Sequence, residues 1–534
     1  MSAEPGRRVW SRPGLALHEM IPPDGDPDRL LTGVECRIVK FQPKVIVGRT
    51  PTAIGKLYVK RYNVHAWRTA VMSLWRPSPA ASAWLGASRL VAHGFATPEV
   101  IAAVEYRRFG VLRRSFFLTR EVPEARPADV RWQEILAEPD AERRRRARRV
   151  FSRALGDLFR RLHAAGVYHG DLKDVNILVT GSADEPRCVL LDLERIRLPR
   201  RLRHGRRVKN LVQLARTLGR QASAADRVRF LTAYLGDADR AARRRWIRAI
   251  ARQIARKERW RRPGASVART PSVTCTIICQ NEERLLEHCL ESVAWCEEIV
   301  IVDGGSTDGT LGIARRFTGR IVVNPWPGYR IQKQTALDNA HGEWVLNLDA
   351  DERVTPDLAA EIRRVLATAP ADVGGFAIPR LVCYLGRWWF RGGWYPRPIV
   401  RLVRRTATRW GGVDPHERAE VEGRVHRLQW PILHYTYTDI TDHLRSLNKL
   451  TSVAAGQPKL PARIGAGRLV AEPTWRFLRS YVVQRGFLDG FPGLFVAMTG
   501  AFYVFLRWAK VLERRRDAAR AGEAPPLDRS QGGF

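Results

Sequence analysis

Val302-Asp303-Gly304-Gly305-Ser306-Thr307-Asp308-Gly309-Thr310, followed downstream by Trp344-Val345-Leu346-Asn347-Leu348-Asp349-Ala350-Asp351-Glu352, decides the architecture of the C-terminal half. In each stretch an apolar strand ends in a carboxylate and breaks into a turn. Around them, 273–279, 299–303, 321–323 and 344–349 read as strands, and segments near 282–294, 307–317, 330–340 and 355–367 as helices. This alternation predicts a mostly parallel sheet covered by helices. Ligands of such sheets sit at the carboxyl ends of the strands. Asn281, Asp303 and Asp349 all fall at or just past such ends.

Those positions suit a nucleotide-linked donor. A nucleotide diphosphate is a poor leaving group until its charge is neutralised, and a divalent cation held by paired carboxylates does this. Asp349 and Asp351, two apart at a strand end, are the expected metal ligands. Asp303 is expected to bind the base or ribose, Asn281 and Glu282 to assist, and Lys333 to reach the diphosphate or base. Transfer to an acceptor hydroxyl needs a group to take its proton. Glu417 is the first candidate and Asp414 the second, while His416 stays open between a metal or phosphate ligand and a structural histidine. The cluster Trp388, Trp389, Trp394 and Tyr395 is open between stacking on a sugar and ordinary packing.

A second signature lies upstream: His169-Gly170-Asp171-Leu172-Lys173-Asp174-Val175-Asn176, then Leu191-Asp192-Leu193-Glu194. Phosphoryl transfer from ATP needs positioning and charge neutralisation more than covalent chemistry. Asp171 and Asn176 have the spacing of a kinase catalytic loop. Asp171 is expected to orient the acceptor hydroxyl, and Asn176 and Asp192 to hold a metal ion. Lys60, closing Leu57-Tyr58-Val59-Lys60, is placed for the α- and β-phosphates, behind a sparse glycine pattern of Gly48 and Gly55.

At 534 residues the chain is too long for one core. We expect a first domain over 1–260, a linker rich in Arg, Pro, Gly and Ser over 261–271, a second domain over 272–455, and a helical tail over 456–534. The formal net charge of +37 favours anionic partners. Arginine runs near 143–149, 200–207 and 240–262 can grip phosphate or carboxylate. No RNA-binding or zinc-finger pattern accompanies them, so nucleic acid is not an expected partner. Seven scattered cysteines show no disulfide spacing and read as small buried hydrophobes in a reducing compartment. Met1 to Met20 has no apolar core of a secretory signal, which makes a cytoplasmic location the expectation. Phe491 to Leu506 is uncharged, interrupted by Pro492, Gly493 and Gly500, and falls short of the ~18 residues of a membrane span. Its aromatic and basic flank, Trp508, Lys510 and Arg514 to Arg516, suits an anionic membrane surface.

Residues 30–220 resemble the lipopolysaccharide core kinases, which phosphorylate Kdo or heptose and share the protein-kinase-like fold. The likeness rests on 169–179, 190–197, Asn210-Leu211 and Gly94-Phe95-Ala96-Thr97-Pro98. One departure is Ala83, where kinases place the Glu that pairs with the strand lysine; Lys60 then either lacks that partner or takes another acid such as Glu99 or Glu105. Residues from 272 to about 450 resemble family 2 glycosyltransferases, inverting enzymes of GT-A fold, and most closely their lipopolysaccharide core glucosyltransferases. Gly342-Glu343-Trp344, Gly392-Gly393-Trp394-Tyr395-Pro396, Arg401-Leu402 and His434-Tyr435 carry that likeness. Val413-Asp414-Pro415-His416-Glu417 lies where the family has Val-His-Glu, so Asp-Pro is an insertion.

The resemblances imply an α+β protein-kinase-like domain, then an α/β GT-A nucleotide-sugar-binding domain with a C-terminal apolar helical tail. They imply Mg²⁺ or Mn²⁺, ATP in the first half and a nucleotide sugar, UDP-glucose foremost, in the second. The implied acceptor is lipopolysaccharide core or lipid A, met peripherally on the cytoplasmic face of the inner membrane. The leading reading is a bifunctional enzyme that glycosylates a core sugar and phosphorylates core Kdo or heptose. The alternative is a glycosyltransferase whose degenerate kinase-like domain only binds the core acceptor.

Overall fold

Internal contacts divide the chain into two units, Met1–Leu31 with Gln42–Ala265, and Thr32–Phe41 with Ser266–Phe534. The structure is a computed structural model and describes residues 6–12, 21, 25–64, 71–258, 271–414, 416–456, 465 and 467–520. The expected linker over 261–271 lies, apart from Pro271, outside the described residues.

In the first unit, β1 (Arg7–Ser11), β2 (Val45–Thr52), β3 (Gly55–Asn63), β4 (Val100–Arg108) and β5 (Val111–Arg120) lie in the antiparallel order β1-β4-β5-β3-β2. Alternation in β3 buries Leu57 and Val59, the period-2 pattern of a strand with one covered face, and Tyr62 near its end is buried out of that step. Helix α1 (Pro79–Ala92) starts on Ser78, whose side chain accepts from the Ala81 amide, with Pro79 in its first turn. Helix α2 (Ala141–Ala164) buries Phe151, Leu155, Leu158, Phe159 and Leu162, a helical stripe facing the core. Within it Ala147 is buried while the arginines of the 143–149 run are not. Two short strands, β6 (Ile177–Thr180) and β7 (Arg187–Leu190), pair antiparallel beyond the catalytic-loop motif. Helices α3 (His204–Ala215) and α4 (Arg240–Glu258) follow.

The second unit is built on β8 (Val273–Cys279), β9 (Glu298–Asp303), β10 (Ile321–Val323) and β11 (Trp344–Asp349), parallel in the order β10-β9-β8-β11. All seven residues of β8 are buried, as a strand covered on both faces demands. Its two threonines are satisfied: Thr274 donates to Glu298 and accepts from the Gly342 amide, and Thr276 accepts from Asn347. Helices α5 (Leu286–Val293), α6 (Tyr329–Asp338) and α7 (Pro356–Leu366) accompany these strands. The sheet continues through β12 (Glu352–Val354), β13 (Val373–Tyr384), β14 (Arg397–Arg404) and β17 (Ile432–Tyr435), in the order β11-β14-β13-β17-β12. A separate ribbon pairs β15 (Thr408–Val413) with β16 (His416–Val421).

The segment Thr32–Phe41 is held within this second unit. Arg353 donates to the Cys36 carbonyl at 3.2 Å, and the Phe41 amide donates to Asp357 at 3.1 Å. All seven cysteines are free thiols, and burial pushes Cys188 up to about 11 and Cys36 up to about 12.

Helices α8 (Ile440–Ala455), α9 (Glu472–Leu478) and α10 (Phe491–Arg520) complete the unit. Contrary to the expected interruptions, α10 runs unbroken for 30 residues. Pro492 sits in its first turn, where no intrahelical amide is lost. Gly493 packs so closely on the Gly486 carbonyl that a side chain would collide with it. By length and composition α10 is apolar enough to cross a membrane.

Candidate active site

The first unit gathers its motif residues around Lys60. Its ammonium donates to Asp192 at 2.5 Å and to Glu194 at 3.1 Å. Burial works against the charge, but Glu194 and Asp192 outweigh it and hold Lys60 above its ordinary value. Asp192 has left-handed backbone, φ 57°. His169 ties the catalytic loop to the strand before Asp192 through the Leu191 carbonyl at 2.7 Å, and burial lowers its basicity. The Asn176 amide donates to the Asp171 carbonyl at 2.7 Å, and Lys173 lies 3.0 Å from the Asp171 carboxylate. Asn210 donates to the His169 carbonyl at 2.6 Å.

The expected substitute acids are engaged elsewhere. Glu99 pairs with Arg12 and Arg120, and Glu105 with Arg8 and Arg107. Ala83 is fully buried. Beside Asp192, Lys60 pairs with Glu194, which lies in the short 3-10 turn Leu193–Arg195, so this acid comes from the segment after β7 and not from α1.

In the second unit the site forms at the carboxyl ends of β8, β9 and β11. Asp303 is fully buried and accepts from the Gly305 and Ser306 amides, each at 2.9 Å, and from the Ser306 hydroxyl. Asn281, at φ 58°, accepts from the Thr307 amide at 2.8 Å. These two residues therefore lock the turns after β8 and β9 together.

Next to those turns runs an alternating line of charge. Buried Lys333, on α6, is 2.9 Å from Glu417 and 3.0 Å from Asp349. Arg401, on β14, pairs with Asp349, with Glu352 at 3.0 Å and with Asn347 at 2.8 Å. Burial opposes ionisation of Asp349, yet Arg401 and Lys333 hold it well below the usual carboxylate range. Asp351 takes a different partner, His434 of β17, at 2.9 Å. Its other oxygen, Oδ1, is buried without a hydrogen-bond partner, as is Nδ1 of His434. Glu282 is pushed up to about 7 by burial and then by Asp351, Asp308, Asp349 and Asp442. Asp414 accepts from the Arg330 amide at 3.0 Å at the start of α6. Pro415 and the side chain of His416 lie outside the described residues.

A divalent ion fits this donor set. An orphaned buried carboxylate oxygen on Asp351 and a neighbouring Glu282 poised near neutrality are what a cation would relieve. Among the described residues no three His, Cys, Asp or Glu side chains are grouped to hold a metal by themselves. An ion here would complete its shell with substrate phosphate and water, as Mg²⁺ commonly does.

Arg401, Glu352 and His434 take part in this site although the sequence motifs gave them no role. The available signal was the motif itself, since Arg401-Leu402 and His434-Tyr435 are among the stretches that carry the family likeness, and Arg401 breaks the apolar run Ile399 to Val403. Trp388 and Trp389 are core residues, and Trp389 donates to the Tyr384 carbonyl. Trp394 is only half-buried.

Fold and site together define a kinase-like domain joined to a GT-A-like glycosyltransferase domain. Residues 47–234 match the family described as Lipopolysaccharide kinase (Kdo/WaaP) family, and residues 274–416 match Glycosyl transferase family 2. The chain belongs to glycosyltransferase family 2 and carries a Kdo/WaaP-family kinase-like domain ahead of it. The lipopolysaccharide core biosynthesis glycosyltransferase LpsC of Rhizobium meliloti (strain 1021) is 34% identical over 252 residues, 46% of this chain and 93% of LpsC. Uncharacterized glycosyltransferase RT0209 of Rickettsia typhi (strain ATCC VR-144 / Wilmington) is 30% identical over 253 residues, 45% of this chain and 87% of its own. Among solved structures, WaaP in complex with acyl carrier protein aligns with TM-score 0.37 and 22% identity, over 47% of this chain and 98% of that one.

Proposed function

We propose that this chain modifies the lipopolysaccharide inner core twice, transferring a hexose from a nucleotide sugar to a core sugar and phosphorylating core Kdo or heptose with ATP. The observation that carries the transferase half is the convergence of Lys333, Asp349, Asp351 and Glu282 at the carboxyl ends of the parallel strands. Asp351, with Asp349 beside it, would hold Mg²⁺ or Mn²⁺, which would supply positive charge for the diphosphate of a donor such as UDP-glucose. Lys333 adds a second positive charge at the leaving group. Asp303, Asn281 and Glu282 shape the turns against the nucleotide. Glu417 takes the acceptor proton, with Asp414 as the alternative base, in one inverting displacement.

In the kinase-like half, Lys60 holds the α- and β-phosphates, Asn176 and Asp192 the metal ion, and Asp171 orients the acceptor hydroxyl. Support comes from the Lys60–Glu194 pair, which supplies the clamp that Ala83 denies to α1. A second reading leaves this half as an acceptor-binding module, and the missing acid on α1 favours it.

A place at a membrane surface is supported by α9, α10 and the turns between them. Trp475, Val483, Phe491 and Met498 each expose more than half of their surface. Rings of this kind beside Arg514 to Arg516 suit the headgroup region of an anionic leaflet, on the cytoplasmic face of the inner membrane.

Defined truncated core lipids incubated with ATP and a panel of nucleotide sugars, with products weighed by mass, test both halves. A hexose gain is expected to vanish in Asp349→Asn, and a phosphate gain in Asp171→Asn. Hexose gain without phosphate gain in the unaltered chain would select the second reading. A phosphate gain that survives Asp171→Asn would refute the kinase site.

A further inference from the structure

A cavity of about 270 Å³ lies in the second unit between the β13 and β17 strands and helices α8, α9 and α10. Arg380, Arg397 and Arg476 line it, with Trp394, His434 and Tyr503. No acidic residue does so among the described residues. Arg380 and Arg397 are opposite one another across β13 and β14. Arg380 has a distant share of Glu352, at 3.5 Å. Neither Arg397 nor Arg476 makes an ion pair among the described residues. Desolvation, and then the like charges of Arg397 and Arg479, hold Arg476 below its ordinary value. Three arginines thus face one concave site, and the two without an acidic partner among the described residues, Arg397 and Arg476, are open to solvent and so accessible to an anion.

The placement of the cavity indicates which anion. His434 lines it and reaches Asp351 with Nε2 at 2.9 Å, so one imidazole separates the cavity from the metal-binding carboxylate. The nucleotide ends of β8 and β9 contribute nothing to the lining. Val382, Leu447 and Val496 give it an apolar side, which free diphosphate does not need and a sugar ring with a charged substituent uses. We infer that this cavity holds an acidic substituent of the acceptor saccharide, a carboxylate or a phosphomonoester, clamped by Arg397 and Arg476 with help from Arg380. The inference rests on the transferase reading proposed above. Arginine presents paired donors matched to both groups, which is why either chemistry fits. The acceptor is then selected by charge at a point one side chain away from the reacting centre, and its hydroxyl is oriented from there.

The test uses the full chain with Arg397→Gln, Arg476→Gln and the double variant. Three matched core acceptors are compared: untreated, phosphatase-treated and carboxyl-reduced. Each substitution is expected to raise the acceptor KM about tenfold, the worth of one charge-assisted clamp, while the donor KM stays put. The penalty should disappear on whichever treated acceptor lacks the recognised group, and that arm tells carboxylate from phosphate. Equal penalties on all three acceptors, an unchanged acceptor KM, or a raised donor KM would overturn the proposal. Equilibrium dialysis with free Kdo and with inorganic phosphate, in the absence of donor, reads the cavity even if no hexose is transferred. Saturable binding lost in the double variant supports the site although the transferase reading had failed. Binding unchanged in that variant, or no binding of either probe at millimolar concentration, sinks it.

Discussion

Glu282 offers the sharpest physical test of the site. Its carboxyl is raised from 4.5 to about 7 by burial and by Asp351, Asp308, Asp349 and Asp442. A raised folded-state value means that the protonated form is favoured by folding. The associated stability is complete below about 4.5, declines as pH rises, and is gone above about 7. Two and a half units correspond to about 3 kcal/mol, an upper figure because water and small movements relax the site. Glu282→Gln keeps the shape and the backbone bond from the Glu282 amide to Thr310 but cannot ionise. The variant should therefore match the parent near pH 5 and exceed it near pH 8 by up to about 3 kcal/mol. Because the chain holds two units, one global transition is not a safe readout. A urea series with pulsed alkylation of Cys275 and Cys289, both fully buried in the second unit, reports the right unit when peptides are weighed. Mn²⁺ should narrow the gap at pH 8 by stabilising ionised Glu282 and Asp351. Parallel pH profiles for parent and variant would refute the argument that these carboxylates repel one another.

Three other outcomes follow from named contacts. Lys333→Met strips the partly buried Asp349 and Glu417 of the buried cation they share and should cost the second unit about 2 kcal/mol by the same alkylation series; a cost below about 1 kcal/mol would mean Arg401 suffices alone. Glu194→Gln should lower phosphate incorporation at least tenfold, with the loss in ATP KM as well as in rate, because Lys60 loses an anchor but keeps Asp192. Undiminished incorporation would show that Lys60 needs no second acid. Trp475→Ser combined with Phe491→Ser should weaken flotation with vesicles containing anionic lipid by about tenfold or more, since each ring buries large apolar area in the headgroup region; equal flotation of parent and variant would remove these helices from the membrane contact.

The strand-end carboxylates were legible because two local patterns coincide there: an unbroken apolar run and a turn made of Gly, Ser and Asp. Burial on both faces dictates the first and backbone geometry the second, and neither depends on distant residues. The same holds for the catalytic loop, whose Asp171 and Asn176 are bonded within five residues. What escaped was the identity of several partners made across the fold, although Lys60 and Asp192 do meet as expected. Glu194 meets Lys60 over a separation of 134 residues, and local patterns say nothing about which acid will arrive. The acids considered in its place, Glu99 and Glu105, pair with arginines instead. Helix α10 outruns its sequence signal for another reason: Gly493, which reads as a break, is required by tight packing on Gly486 and costs the helix only about 1 kcal/mol against alanine.

The charges of the second site have a consequence that no single pair displays. Glu417, Lys333, Asp349, Arg401, Glu352 and Arg380 form a continuous series in which acid and base alternate. Its first member is the proposed base, its middle member begins the Asp349-Ala350-Asp351 motif, and its last lines the arginine cavity. Each carboxylate after Glu417 is shared by two cations, so loosening one pair tightens another. An anion that draws Arg380 away from Glu352 leaves Arg401 more fully to Glu352 and less to Asp349, and Lys333 then leans toward Asp349 and away from Glu417. A carboxylate released in this way is a better proton acceptor. On this arrangement, occupancy of the cavity by a charged acceptor and activation of the base are linked through the buried pairs, so the correct acceptor promotes its own deprotonation.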